Sequence, residues 1–98
     1  MPAIAWLPEA LDDLERLHEF LEDKNPKAAA RAITAIREGA AQLRKFPRLG
    51  RPMPDNTGRR ELFIAFGGGA YVLRYMLENK NAAVIIRVWH SREDRADE

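Results

Sequence analysis

Seven basic side chains in the second half of the chain are the residues whose types and spacing could support chemistry. Two open an apolar run, two interrupt apolar runs and three follow the last one; they are Arg59, Arg60, Arg74, Arg87, His90, Arg92 and Arg95. The planar guanidinium of arginine pairs readily with carboxylate and phosphate groups. Such a group could bind phosphate, stabilise a phosphoryl transition state, or bind an acidic peptide of a partner.

Other catalytic arrangements are missing from the sequence. Ser91 directly follows His90, and adjacency in sequence does not make a nucleophile–base pair. The glycine triplet at 67–69 lacks the Lys-Ser/Thr and the helix that follow a phosphate-binding loop, so it predicts a hairpin turn. His18 has no second histidine at metal-site spacing, and the chain has no cysteine. We therefore expect neither a metal site nor a cofactor.

Length and composition predict one small domain that covers residues 1–98. The lack of cysteine fits a reducing compartment, and no apolar run approaches the ~20 residues of a membrane span. Because the first residues lack the basic start and long apolar core of a signal peptide, we expect a cytoplasmic protein with no membrane partner. The net charge of +1 hides an asymmetry, since residues 24–60 hold ten bases and only two acids.

The last third of the chain predicts a β-hairpin. Residues 71–77 and 84–89 are two runs rich in β-branched and aromatic residues, and the Asn-Lys-Asn segment at 79–81 suits a turn between them. Arg74 and Arg87 interrupt these apolar runs. A charged residue in the middle of each strand indicates a face that is open to solvent or to a partner.

The pairing across the predicted turn sets the two faces of the hairpin. If Leu77 pairs with Ala82, then Arg74 lies opposite Ile85, and Arg87 becomes its diagonal neighbour on the same face. Other elements must cover the opposite, apolar face. That face carries Tyr71, Leu73, Tyr75, Val84, Ile86 and Val88.

The first half of the chain predicts a strand over 3–7 and then a helical hairpin. A helix over 8–23 begins with proline, and a second helix over 25–45 begins with Asn25 as its cap and Pro26 as its first residue. Both show apolar stripes at helical spacing. The stripes are Leu11, Leu14, Leu17, Phe20 and Leu21 in the first helix and Ala29, Ile33, Ile36, Ala40 and Leu43 in the second.

A loop and a further strand complete the order of elements. Residues 46–58, with several prolines and glycines, predict an ordered loop, and the alternating residues 60–66 predict a strand. The order is therefore β-α-α-β-β-β. We expect an α+β fold, with a helical hairpin packed on one face of an antiparallel sheet. Arg74 and Arg87 would then lie on the other face.

These features together resemble the RelE/ParE superfamily of toxins from bacterial type II toxin–antitoxin modules. The resemblance rests on the element order, the loop FPRLGRP and the strands YVLRY and VIIRVWHSRED. It covers nearly the whole chain and implies a RelE/ParE-like fold, a single toxin domain, and a cognate ParD-like antitoxin. The antitoxin is expected to meet Arg59, Arg60, Arg74, Arg87 and Arg92.

The residues of the RelE-like branch match this chain poorly. Its members resemble ribosome-dependent mRNA endoribonucleases. They use lysines and arginines on the sheet, an arginine just after the tyrosine of the YxxxY strand, an arginine after the last strand, and a C-terminal tyrosine or histidine. The post-tyrosine position here is Val72, no lysine occurs at 62–65, and no tyrosine follows Arg92. Only Arg92 matches, with His90 as an acid or base of its own.

The resemblance is therefore closer to the ParE-like branch, which inhibits DNA gyrase and arrests growth. The alternative is a RelE-like nuclease acting on the translating ribosome and its mRNA. Its catalytic residues would be His90 and Arg92 with Arg74 or Arg87. A third alternative is an inactive member that only binds its partner.

Overall fold

The predicted order of two helices and a sheet is confirmed by the computed structural model, which describes residues 3–79 and 82–93. Its elements are β1 (Ala3–Trp6), α1 (Pro8–Glu22), α2 (Pro26–Ala41), a 3-10 turn (Gln42–Arg44), β2 (Arg51–Pro52), β3 (Arg59–Phe66), β4 (Gly69–Asn79) and β5 (Ala82–His90). The fold is α+β, with α1 and α2 packed on one face of the sheet. Among the described residues, no helix has the length and apolar character needed to cross a membrane.

The helix starts follow from local sequence. Pro8 and Pro26 lie at the first helical positions, where the missing N–H leaves no bond unmade. The Asn25 side chain accepts a hydrogen bond from the Ala28 N–H at 3.1 Å, as expected of an N-cap. The second helix ends at Ala41 and tightens into the 3-10 turn, so the predicted helix to about Lys45 is too long in its α-helical part.

The sheet has five strands in the order β1-β5-β4-β3-β2. Three pairings are antiparallel, but β1 runs parallel to β5, so the expectation of a wholly antiparallel sheet is wrong at this edge. No tight turn constrains the direction of β1, because both helices and three strands separate it from β5. The short strand β2 was not predicted either. It contains Pro52, and proline argues against a strand except at the edge of a sheet, where β2 lies.

The register of β4 against β5 differs from the predicted one. Arg74 lies directly opposite Arg87, and Tyr75 lies opposite Ile85, so Ile86 is an extra residue in a β-bulge. The bulge changes the alternation along β5, and the helix-facing residues are Ala83, Ile85 and Val88. Of the three predicted for that face, Val88 is confirmed and Val84 and Ile86 are wrong. Lys80 and Asn81 of the predicted turn lie outside the described residues.

The core lies between the helices and the sheet. From α2 it takes Ala29, Ala32, Ile36 and Ala40, followed by Leu43 of the 3-10 turn. In α1 the predicted stripe is wrong at Leu11 and Phe20, which are 48% and 62% exposed, because the buried face turns towards Ala10 and Asp13. Gly39 allows α2 to approach the sheet closely, since a Cβ there would lie 2.5 Å from the Cδ1 atom of Ile64.

Candidate functional site

Arg74 is buried although it lies on the sheet face away from the helices. Its Nε and Nη2 atoms donate to Oε2 of Glu61 at 3.1 and 2.8 Å, and its guanidinium lies 4.9 Å from the ring centroid of Trp89. Glu61 is the residue directly opposite on β3. The expectation that this arginine is open to solvent is wrong, because only 8% of it is exposed. Its charge is already paired with a carboxylate and an aromatic face.

Arg87 reaches around the sheet edge to the first helix. Its Nε and Nη2 atoms donate to the Asp13 carboxylate at 2.8 and 3.1 Å, and the N–H of Val88 donates to the same carboxylate at 2.8 Å. Strand β1 covers β5 only as far as Ile85. Asp13 therefore satisfies the first strand N–H beyond the end of β1, at the bulge.

The Asp13 carboxylate is the centre of an ionic network between α1 and the C-terminal turn. Burial acts to raise its pKa, but the hydrogen bonds from Arg87 and Val88 and the charge of Arg87 lower the pKa below its usual range. Arg16 donates to Asp13 at 3.3 Å and to Glu93 at 2.7 Å. The network holds the last described turn against the helix.

The role of Asp13 was missed from the sequence, although the sequence contains a signal for it. The residue lies three positions after Ala10 and four before Leu17, so it falls on the buried stripe of α1. An acid at such a position requires a buried cation or N–H partner. The distant Arg87, in the apolar run of β5, is that partner.

His90 and Arg92 lie at one end of the sheet, beside the turn between β3 and β4. The imidazole of His90 packs edge-on against the Tyr71 ring, with centroids 5.1 Å apart, and its Nδ1 accepts from the Arg92 N–H at 3.1 Å. The Arg92 side chain donates to the carbonyl of Gly68 at 2.7 Å. Burial, and then the charge of Glu93, raise the pKa of the Tyr71 hydroxyl.

The four residues of the alternative nuclease site do not converge on one side of the sheet. His90 pairs with Tyr71, whose ring belongs to the core on the helix side. Neighbouring strand residues point to opposite faces, and the preceding Trp89 contacts Arg74 on the side away from the helices. The structure therefore places His90 and Arg74 on opposite faces of the sheet. A nuclease role for His90 and Arg92 with Arg87 stays a prediction.

The two arginines at the start of β3 bind nearby loops. Arg59 pairs with Asp55 at 3.2 Å and donates to the hydroxyl of Thr57. The hydrogen bond from that hydroxyl is the main reason that the pKa of Asp55 is lowered. Arg60 donates to the carbonyls of Arg48 and Gly50 at 3.2 and 2.7 Å.

We call Arg59, Arg60, Arg74, Arg87 and Arg92 the sheet arginines. Each donates hydrogen bonds inside the chain, to a carboxylate or to a backbone carbonyl. Their binding to a partner stays a prediction. Arg95, the seventh member of the predicted basic group, lies outside the described residues.

The segment 44–51, which we call the basic loop, is held from below by a buried tyrosine. The Tyr75 hydroxyl donates to the carbonyl of Pro47 at 2.7 Å and accepts from the N–H of Gly50 at 2.9 Å. Burial raises the pKa of this hydroxyl, although the bond from Gly50 and the charge of Arg60 oppose the rise. Gly50 is required because a Cβ there would lie 2.6 Å from the Tyr75 ring. The predicted ordered loop is confirmed.

The outer surface of the basic loop is charged and apolar at once. Phe46 and Leu49 are 59% and 44% exposed. The four cations of the loop, Arg44, Lys45, Arg48 and Arg51, are exposed as well. Within the described ranges none of these four makes an ion pair, and Arg51 lies over the ring of Phe63 at 5.4 Å.

A groove runs between α2 and the outer edge of β3. Strand β2 pairs only with Arg60 and Glu61, so residues 62–66 of β3 have no second partner strand among the described residues. Two adjoining depressions of about 330 and 410 Å³ follow this edge. The α2–β3 groove is lined by Ala30, Arg31, Thr34, Ala35, Glu38, Gly39, Gln42, Leu62, Phe63, Ile64, Ala65 and Phe66.

The arrangement of helices and sheet occurs in a known class of protein. A solved structure described as a chromosomal ParDE toxin–antitoxin system from P. aeruginosa superposes with a TM-score of 0.72, covering 92% of this chain and 96% of that chain at 20% identity. At this identity the likeness shows the fold. The shared fold is α+β, with two helices on one face of a five-strand mixed sheet.

Sequence comparisons define the family more closely. The profile described as the ParE toxin of the type II toxin–antitoxin system parDE matches residues 4–95. Toxin RelE3 of Caulobacter vibrioides is 40% identical over 95 residues, covering 97% of this chain and all of that protein. Toxin RelE1 of the same organism is 37% identical over 83 residues, 85% of this chain and 86% of that protein. This chain belongs to the RelE/ParE superfamily of type II toxins.

Proposed function

We propose that this toxin acts as a ParE-like inhibitor of DNA gyrase, arrests growth, and is neutralised by a cognate antitoxin. The observation that carries the proposal is the separation of His90 from Arg74 across the sheet. RNA cleavage needs an acid or base and a charge-stabilising cation aimed at the same phosphate, and these two residues lie on opposite faces of the sheet. The family match to the ParE profile supports the same assignment.

The charges of the sheet arginines also speak against a nuclease. A phosphoryl transition state is stabilised by cations aimed at a common point. Here Glu61 binds Arg74 and Asp13 binds Arg87. Each carboxylate cancels the positive charge that a phosphate would need, and both would have to move before RNA could bind.

The alternative is a RelE-like endoribonuclease, and two observations favour it. Both Caulobacter relatives are named RelE toxins. His90 and Arg92 also lie together at one end of the sheet, with Arg92 exposed. Cleavage there would rely on these two residues alone and not on Arg74 or Arg87.

The experiment compares the two activities with the same purified toxin. We expect it to block gyrase supercoiling and to leave mRNA on translating ribosomes uncut. His90→Ala should keep gyrase inhibition within about twofold, since surface changes away from an interface have small effects. Codon-dependent mRNA cuts that disappear in His90→Ala or Arg92→Ala would reverse the assignment.

We further propose that the antitoxin's C-terminal segment occupies the α2–β3 groove. An extended segment could add a strand beside residues 62–66, where no other described strand pairs with the β3 edge. The small side chains of Ala30 and Ala35 leave room for its apolar anchors. Arg31 and Glu38 at the groove offer charged partners for the rest of the segment.

A substitution that fills the groove tests this placement. Ala35 lines both depressions, and Ala41 is exposed on the same helix outside them. We expect Ala35→Arg to weaken binding of the antitoxin encoded beside the toxin gene by about tenfold or more, as when a residue at the centre of an interface is disrupted. Ala41→Arg should bind as the unmodified chain does. Equal affinities in calorimetric titrations would place the antitoxin elsewhere.

A further inference from the structure

We propose that the basic loop, residues 44–51, is the surface with which this toxin binds its target, and that it docks on an acidic surface of a protein. The proposal rests on the proposed function only because it requires that the toxin acts by binding a target. Three properties of the loop carry it: exposed apolar side chains, cations that make no ion pair with any described residue, and a fixed backbone.

The loop presents apolar and positive groups in alternation. Phe46 and Leu49 are exposed between the four cations of the loop. No acid occurs from residue 39 to residue 54. The segment therefore carries a local excess of positive charge, although Glu61 lies opposite Arg51 on β3, and this excess favours an acidic partner.

The backbone of the loop is fixed before any partner binds. Tyr75 holds Pro47 and Gly50 through one hydroxyl, and Arg60 holds the carbonyl of Gly50 from the other side. The N–H of Leu49 donates to the carbonyl of Phe46 at 3.0 Å, closing a turn. A loop that is already ordered loses little conformational entropy on binding, so its exposed side chains contribute more of their interaction energy.

The chemistry favours a protein over a nucleic acid. Aromatic residues and arginine are enriched at protein interfaces, and Leu49 has no planar face on which a base could stack. A phosphate-binding surface would use the cations and leave both apolar side chains in water. Phe46 alone could stack on a base, but only a protein interface buries Phe46 and Leu49 together.

The basic loop and the α2–β3 groove share no residue. Along α2 the groove lining ends at Gln42, and on β3 the groove residue Phe63 contacts Arg51 of the loop. The loop variants tested below leave Arg51 unchanged. Variants of the loop can therefore lose the target while keeping the antitoxin, which separates the two surfaces experimentally.

The test uses two loop variants and one matched control in the full chain. Phe46→Ala/Leu49→Ala removes the apolar pair, and Arg44→Glu/Arg48→Glu reverses the charge. The control, Lys27→Glu/Arg37→Glu, makes the same charge change on exposed positions of α2. Growth arrest at matched expression, gyrase inhibition, antitoxin binding and thermal unfolding are measured for each.

We expect both loop variants to lose about tenfold or more in gyrase inhibition and to fail to arrest growth. The apolar variant should keep antitoxin affinity within about twofold and an unchanged unfolding midpoint, since exposed substitutions cost little. The control should behave as the unmodified toxin in every assay.

Three results would overturn the proposal. Loop variants that arrest growth as the unmodified toxin does would show that the loop is not used. Loss of antitoxin binding together with toxicity would make it part of the antitoxin site. Salt-dependent binding of a DNA duplex or of single-stranded RNA, abolished in the charge variant, would replace the protein partner by a nucleic acid. If the unmodified toxin arrests growth without inhibiting gyrase, only the proposed function is contradicted. The loop proposal is then still tested by whether the loop variants lose growth arrest.

Discussion

Arginines in two regions of this toxin have contrasting surroundings. The sheet arginines donate to carboxylates and carbonyls of their own chain, with Arg74 only 8% exposed. The cations of the basic loop are exposed and make no ion pair within the described residues. The side-chain chemistry is the same, yet one set is engaged in holding the fold and the other remains available to bind a partner.

The difference lies in the neighbours that the fold supplies. Arg74 and Arg87 lie directly opposite each other on β4 and β5, where like charges repel. Each therefore has its own carboxylate, Glu61 from β3 and Asp13 from α1. The basic loop lies between Glu38 and Asp55, with no acid nearby in sequence. Whether an arginine is available to a partner therefore depends on whether the fold places an acid beside it, and not on how many arginines the region holds.

The largest expected effect comes from removing the acid that anchors β5. Asp13→Ala removes the carboxylate that accepts hydrogen bonds from the Arg87 guanidinium and from the Val88 N–H. Breaking a buried ion pair costs about 3–5 kcal/mol, and we expect the lower end because the Arg87 side chain remains 25% exposed. Urea unfolding measures the change. The control, Asp12→Ala, alters the exposed neighbouring residue, and an equal loss in both variants would contradict the network.

A second, smaller effect tests the support of the basic loop. Tyr75→Phe removes one buried hydroxyl and leaves the Gly50 N–H and the Pro47 carbonyl unpaired. We expect a loss of about 1–3 kcal/mol in the free energy of unfolding and faster hydrogen exchange at Gly50. Tyr71→Phe is the matched control, because the Tyr71 ring is equally buried and its hydroxyl makes no hydrogen bond within the described residues. Unchanged exchange at Gly50 would mean that the loop is ordered by other interactions.

A third effect is the pH dependence of stability, which distinguishes the contribution of the negative charge of Asp13 from that of its size and shape. Since its pKa is lowered in the folded state, its contribution to stability is present above the unfolded value near 3.8. That contribution is lost as the pH falls through the lower folded pKa. We expect stability to decline below about pH 4, less steeply in Asp13→Asn. Parallel declines in the two proteins would assign the acid sensitivity to other carboxylates.

The smallest expected effect concerns the antitoxin and the sheet arginines. The sequence alone predicts that Arg74→Ala and Arg87→Ala weaken antitoxin binding clearly. Because both side chains already have carboxylate partners, we expect calorimetric titrations of folded Arg74→Ala to show less than about a tenfold loss. Lys24→Ala and Lys27→Ala serve as exposed controls. A hundredfold loss in Arg74→Ala alone would mean that the antitoxin breaks the internal pair.

Local features of the fold could be predicted because short-range interactions decide them. Pro8, Pro26 and the Asn25 cap act within one helical turn, and they place both helix starts. Alternation predicted the β3 strand, and the glycines at 67–69 predicted the turn into β4. Most core residues of α2 and β4 follow from the same periodicity.

The sequence by itself determined both helices, the four longer strands, their order, and the supply of arginines on the strands and in the loop. Tertiary structure decided the parallel β1, the bulge at Ile86 and the burial of Arg74. The physical reason is that these depend on interactions between distant residues: Asp13 bonds to Val88 across 75 positions of the chain. The sequence cannot show whether folding places a carboxylate beside a given arginine, so it does not distinguish the paired sheet arginines from the exposed cations of the basic loop.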